Sequence, residues 1–286
     1  HGRRHTARLA RFAKFFTLPN MPLLARRPFL QFSLGGMLCA APLANALAGE
    51  RVPARAESPN VGVDPLLIAT GLTARWQASM KQDLGWAARW TAMDSAEILT
   101  GLEQGEIDAG LFLSHPRADA LDKQGLIYNR KTIARTDVLL LGPQDDLAGI
   151  RSESDPGRAL TQVLAAASAG AARWAQPPAG SPLAALADQL TQGLASKGLT
   201  SANKPASGHA PAYRLMSRAQ WLKTPPRNEK LKIWLADKPT LALEAQIACS
   251  YRSRHAGAKL LVSWLQWPLA QSAVKAARPA WHPIKE

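Results

Sequence analysis

Between residues 94 and 116 the chain passes from one hydrophobic rhythm to another. Asp94 and Ser95 suit a helix start, and Glu97 is placed three residues after Asp94 to complete a capping box. Ile98, Leu99 and Leu102 then fall on one helical face, and Gly105 stands where such a helix stops. The run Ile107-Asp108-Ala109-Gly110-Leu111-Phe112-Leu113 follows, short, apolar and bounded by turn residues. That pattern predicts a strand buried on both faces of a parallel sheet. Ser114 and His115 fall just past its end, where ligands of α/β sheets collect.

The same alternation runs through the rest. Residues 49–64 read as a polar lead-in, 65–70 as a first strand, and Gly71-Leu72-Thr73 as a turn into a helix over 74–84. Residues 86–92 predict a second strand. Strands are predicted over 126–134 and 137–141, with Gly142-Pro143 closing the latter. A helix over 155–167 and a short strand at 171–174 follow. Ser181 is a strong N-cap with Pro182 at the first helical position, opening a helix over 181–194. Residues 199–212 are a Ser-, Ala-, Pro- and Gly-rich loop. A short helix begins at 217–221, strands are expected at 231–235 and 245–250, and helices over 256–267 and 269–277 close the chain. Strands alternating with helices predict an α/β fold with mainly parallel sheets. The chain is expected to cross from one lobe to another near 141–143 and to return near 237–245. This gives lobe I as 49–142 plus 239–286 and lobe II as 143–238.

Charge changes the picture mainly at the amino end. The formal net charge is +14, but residues 1–48 hold seven Arg and Lys and no acid. Without them 28 basic residues face 21 acidic ones, a net of +7, scattered and with no aromatic-interleaved basic helix. That argues against a nucleic-acid partner and suits an anionic ligand. Residues 1–48 read as an export signal with Met21 as its start. Arg26-Arg27-Pro28-Phe29-Leu30, a mildly apolar stretch over 32–43 and small residues at 44–48 resemble a twin-arginine signal, with an ordinary secretory signal as the alternative. Either places a cleaved product in the periplasm. Cys39 lies in the signal, so Cys249 is left alone and no intrachain disulfide is expected. No stretch beyond the signal is long and apolar enough to span a bilayer.

Several segments resemble the periplasmic tungstate-binding proteins of the TupA type. The likeness covers about residues 65–267 and rests on LLIATGLT, GEIDAGLFLSHP, TDVLLLGPQDDLAGI, YRLMSRAQWL and LLVSWLQWPLAQ, of which GPQDDLAGI is the most specific. It implies a two-lobed, type II periplasmic-binding-protein fold with two crossover strands and a tetrahedral oxyanion held between the lobes. It also implies an ABC permease as partner and a monomer without cofactor.

Physical chemistry points the same way. An anion removed from water needs many donors, and helix amino ends supply N–H groups and a favourable dipole. Thr70, Thr73, Ser95 and Ser181 lie at predicted helix starts, and Arg173 offers a planar fork to two oxygens. These five are the expected ligand-binding residues. The departures from the family are marked. Hydroxyls are lost around Thr70, and Asp94 is an acid beside the expected anion. Ser181-Pro182 replaces a Thr and a His. The alternative is therefore a relative of the same fold for another small anion or carboxylate, or a regulator. An enzyme is the third class, but no nucleophile–base pair, metal-ligand spacing or phosphate loop is present, so no catalytic or metal residues are assigned. His115 reads as structural more readily than as a ligand. Cys249 reads as an inert core thiol, and Asp145-Asp146 as a surface turn.

Overall fold

The computed structural model describes residues 58–191, 211–223, 225 and 230–284. The export segment, including Met21, lies outside them, as do 192–194 of the helix predicted to start at Ser181 and most of the 199–212 loop.

The chain opens with strand β1 (Asn60–Val63), helix α1 (Pro65–Ala69), helix α2 (Leu72–Leu84), strand β2 (Arg89–Ala92), helix α3 (Ser95–Gln104) and strand β3 (Ala109–Leu113). The strand predicted at 65–70 is thus a helix, and the true first strand lies in the supposed polar lead-in. The reason is local. Asp64 accepts a hydrogen bond from the Leu66 N–H at 2.9 Å, and Pro65 occupies the first helical turn, where its missing donor costs nothing. Thr70 becomes the C-cap of α1, Gly71 takes a left-handed conformation, and Thr73 falls inside α2. The predicted capping box of α3 is present, with Gly105 as its left-handed C-cap. Strand β3 is buried at every position. Helix α3 comes close to it because Gly110 carries no side chain; a Cβ there would meet Ile98 and Leu102.

Helix α4 (Pro116–Lys123) leads into β4 (Ile127–Pro143), where the two predicted strands are continuous. Helices α5 (Pro156–Ser168) and α6 (Pro182–Leu190) follow. Next come strand β5 (Arg214–Ser217), helix α7 (Arg218–Lys223), strand β6 (Leu231–Leu235), strand β7 (Ala242–Ser250), and helices α8 (Ala256–Trp264) and α9 (Pro268–Lys275). The short strand expected at 171–174 is a single bridge between Trp174 and Tyr213.

The strand order is β2-β1-β3-β7-β4-β5, with β6 also on β4. Strands β1, β2 and β3 are parallel, as sequential strand–helix units require, whereas β4 and β7 make antiparallel pairings. Strand β4 is 17 residues long; its first part pairs with β7 and its last part with β5 and β6. Two irregularities interrupt the β4–β7 register, between Tyr128 and Lys131 and between Thr132 and Ala134. Asn129, with φ 54°, lies in the first.

Three fully buried tryptophans anchor the main core: Trp76, Trp264 and Trp281. Each indole N–H finds an acceptor: Ala270 O at 3.1 Å, Asp83 Oδ2 at 2.7 Å and Thr70 Oγ1 at 3.0 Å respectively. Satisfying the one polar atom of each ring lets its large apolar surface be buried without penalty. The segment after α9 therefore belongs to the core. His282 exchanges backbone hydrogen bonds with Arg135 of β4 at 2.9 and 2.8 Å.

Candidate functional site

Two places at the carboxyl ends of the strands define the candidate site. The first lies between the starts of α1 and α3. Asp64, only 7 % exposed, caps α1 with one carboxylate oxygen and accepts the Ser95 hydroxyl on the other at 2.6 Å. Ser95 in turn accepts the Leu113 N–H at 2.9 Å. Burial pushes the Asp64 carboxyl above its ordinary 3.8 and the charge of Asp94 adds to this, while the hydrogen bonds from Ser95 and Leu66 pull it down. The place where an anion was expected already holds a carboxylate.

The five expected ligand residues are distributed as follows. Thr70 donates to Leu66 O at 2.8 Å and accepts from Trp281. Ser95 donates to Asp64. Each hydroxyl has one proton, so neither has one left for a ligand in this arrangement. Thr73 is buried in the first turn of α2. Ser181 accepts the Ala184 N–H at 3.2 Å as the N-cap of α6. Arg173 is half-buried, with its carbonyl accepting the Tyr213 N–H at 2.8 Å. Thr70 and Ser95 are held by hydrogen bonds to Leu66, Trp281, Asp64 and Leu113, Arg173 is tied by its carbonyl to Tyr213, and Ser181 caps α6.

The second place is a cavity of roughly 140 Å³ just past β3. Its walls come from Ser114, His115 and Asp119 at the start of α4, Arg130 of β4, the first turns of α6 from Pro182 to Gln189, and Ala242, Leu243 and Gln246 of β7. None of the five expected residues lines it. His115 does. Its Nδ1 accepts the Arg117 N–H at 3.1 Å, so its Nε2 is the donor to Gly180 O at 3.2 Å, which joins the starts of α4 and α6.

Arg130 directly follows the left-handed Asn129, and a break of that kind redirects the side chains of a strand. Its guanidinium contacts Asp119 at 2.7 Å and Asp122 at 3.1 Å. Gln246 is 9 % exposed and donates from Nε2 to Glu244 Oε2 at 3.1 Å, while its Oε1 has no hydrogen-bond partner. Glu244 is itself held by the Thr132 hydroxyl at 3.0 Å. Sequence reasoning missed Arg130 and Gln246. For Gln246 the available signal was a polar side chain in the mostly apolar run of a crossing strand; Arg130 lies in the polar stretch 128–132, which carries no such signal.

Among the described residues no group of three or more His, Cys, Asp or Glu side chains is placed to hold a metal ion. No helix among them is long and apolar enough to cross a membrane. The Asp145-Asp146 segment is a structured turn, with Asp146 accepting the Ile150 and Arg151 N–H groups at 2.8 Å each.

The strand order, the two crossing strands and the cavity at the strand ends define the type II fold of periplasmic binding proteins, and solved structures agree. The tungstate-binding protein TupA of Desulfovibrio alaskensis G20 superposes with a TM-score of 0.62 at 18 % identity, covering 80 % of this chain and 100 % of that one. The tungstate ABC transporter protein of Geobacter sulfurreducens gives 0.60 at 18 % identity, covering 77 % and 98 %. A periplasmic protein described as a candidate metal binder gives 0.67 at 18 % identity, covering 79 % and 96 %. No family model and no curated protein matches the chain by sequence.

Proposed function

We propose that this chain is the solute-binding protein of an ABC importer, taking a small tetrahedral oxyanion of the tungstate class in the periplasm and presenting it to a membrane permease. In this reading residues 49–142 with 239–286 form one lobe and 143–238 the other, and the cavity at Ser114, Arg130 and Gln246 is the interlobe cleft. No bond is made or broken; the ligand shifts the chain toward a closed state by binding that state better. The observation that carries the reading is the cavity itself, where the starts of α4 and α6 and the Arg130 guanidinium meet. Guanidinium has five N–H donors, and the contacts with Asp119 and Asp122 leave others for an oxyanion. The tungstate-binding names of two fold relatives support the ligand class.

Isothermal titration of the full chain with tungstate, molybdate, sulfate and phosphate tests this. At least one of them should bind, and Arg130→Ala should weaken it about ten-fold or more, the scale of a charge-assisted hydrogen bond. A larger loss in Arg173→Ala would instead locate the anion where the sequence first suggested. Silence towards all four oxyanions would end the proposal.

A further inference from the structure

His115 lines the cavity, yet both of its ring nitrogens are already engaged with backbone groups. The Arg117 N–H can only donate, so Nδ1 accepts it at 3.1 Å and the neutral ring carries its proton on Nε2. Gly180 O can only accept, and it takes that proton at 3.2 Å. In the two-lobed reading above, His115 belongs to the lobe of residues 49–142 and 239–286, and Gly180 to the lobe of 143–238. We infer that the His115–Gly180 bond is the latch of the cleft, made when the lobes meet and broken before a solute leaves. The inference rests on that reading and adds to it a positioning residue, one that acts on the solute only through lobe closure.

Each half of the latch is fixed by its own surroundings. Ser114, directly before the imidazole, is tied to β7: its N–H donates to Glu244 O at 2.7 Å and its Oγ accepts the Glu244 N–H at 3.2 Å. His115 is itself the N-cap of α4. On the other side the Ser181 N–H closes a tight turn on Pro178 O at 3.0 Å, with Gly180 in the left-handed region at φ 73°. Ser181 then caps α6. The imidazole and the carbonyl are thus held in place before they meet, and little conformational freedom is lost when the bond forms.

The strength of the bond suits this role. It joins two neutral groups and lies open to solvent. Such a bond is worth only about two- to ten-fold in an equilibrium or a rate. Water satisfies both partners once it breaks, so opening strands no buried polar atom. The result is a catch that slows escape without making closure irreversible.

Two substitutions separate the latch from the helix cap. His115→Asn keeps an acceptor at the same bond count from Cβ as Nδ1, but its amide falls short of Gly180. His115→Gln carries an amide nitrogen at the bond count of Nε2, but it is a poorer cap. Release of radiolabelled tungstate from the full chain, chased with unlabelled tungstate, should be about two- to ten-fold faster in His115→Asn, with the urea midpoint unchanged. His115→Gln should restore slow release while lowering that midpoint. Labelled molybdate, sulfate and phosphate serve in the same way for a chain that does not take tungstate. Release unchanged in His115→Asn, or release that follows the urea midpoint across the variants, would overturn the inference and leave the oxyanion reading standing. Should none of the four oxyanions bind, that reading falls, and X-ray scattering of the unliganded chain decides the latch. A larger radius of gyration in His115→Asn than in His115→Gln keeps a catch between two halves, and equal radii remove it as well.

Discussion

The Ser95 hydroxyl gives its proton to the Asp64 carboxylate at 2.6 Å while its oxygen receives the Leu113 N–H at 2.9 Å. The end of β1, the start of α3 and the end of β3 are thereby tied through one buried side chain. Removing the hydroxyl leaves a buried carboxylate and a buried N–H each short of a partner. Ser95→Ala should therefore destabilise the fold by about 1–3 kcal/mol, read as a lowered midpoint in urea with an unchanged slope.

Asp64 sets a pH dependence whose sign follows from its raised pKa. In the window just above 3.8 the folded chain holds the proton more tightly than the unfolded one, so stability falls as the pH climbs through it. Asp64→Asn should remove that decline, measured by denaturant midpoints taken across the acidic range. The same variant locates the ligand. An oxyanion held at Arg130 and Gln246 should bind Asp64→Asn with nearly unchanged affinity. One held between α1 and α3 should bind it far more tightly.

Gly110 marks a close approach of α3 to β3. A methyl group there would meet Ile98 and Leu102, both fully buried. Gly110→Ala should cost about 1–3 kcal/mol through overpacking, visible as a lower thermal midpoint.

Cys249 is fully buried on β7, and burial pushes its thiol up to about 11. At pH 7 it should react with iodoacetamide at least about a hundred-fold more slowly than after unfolding in guanidinium. A Cys39→Ser background isolates the signal, because Cys39 is the other cysteine of the sequence. Rapid labelling of the folded chain would contradict the burial.

Much of the architecture was legible where two signals agreed. The capping box and the Gly105 stop located α3, the apolar run after it located β3, and Ser181-Pro182 opened α6. Asp64-Pro65 is the same kind of signal as Ser181-Pro182, but the Leu66-Leu67-Ile68 run masked it and suggested a strand. The sequence predicts separate strands over 126–134 and 137–141, with the polar Arg135 and Thr136 between them. Yet the backbone of Arg135 is paired with both Glu244 and His282. The ligand residues were harder to see. A hydroxyl at a helix start advertises a donor, but sequence does not reveal where its single proton goes. For Thr70 and Ser95 it goes to Leu66 O and Asp64. Arg130 and Gln246 lie 116 positions apart and meet through the β4–β7 ladder, a relation that no local pattern encodes.

The two register breaks in that ladder bracket Lys131 and Thr132, with Arg130 at one margin and Gln246 opposite. Each break is a crease, where fewer cross-strand hydrogen bonds resist twisting. A solute gripped by both side chains would thus splint the fold line on which they ride. Backbone amides near 128–134 should then exchange more slowly in the filled protein, even though the solute touches few of them.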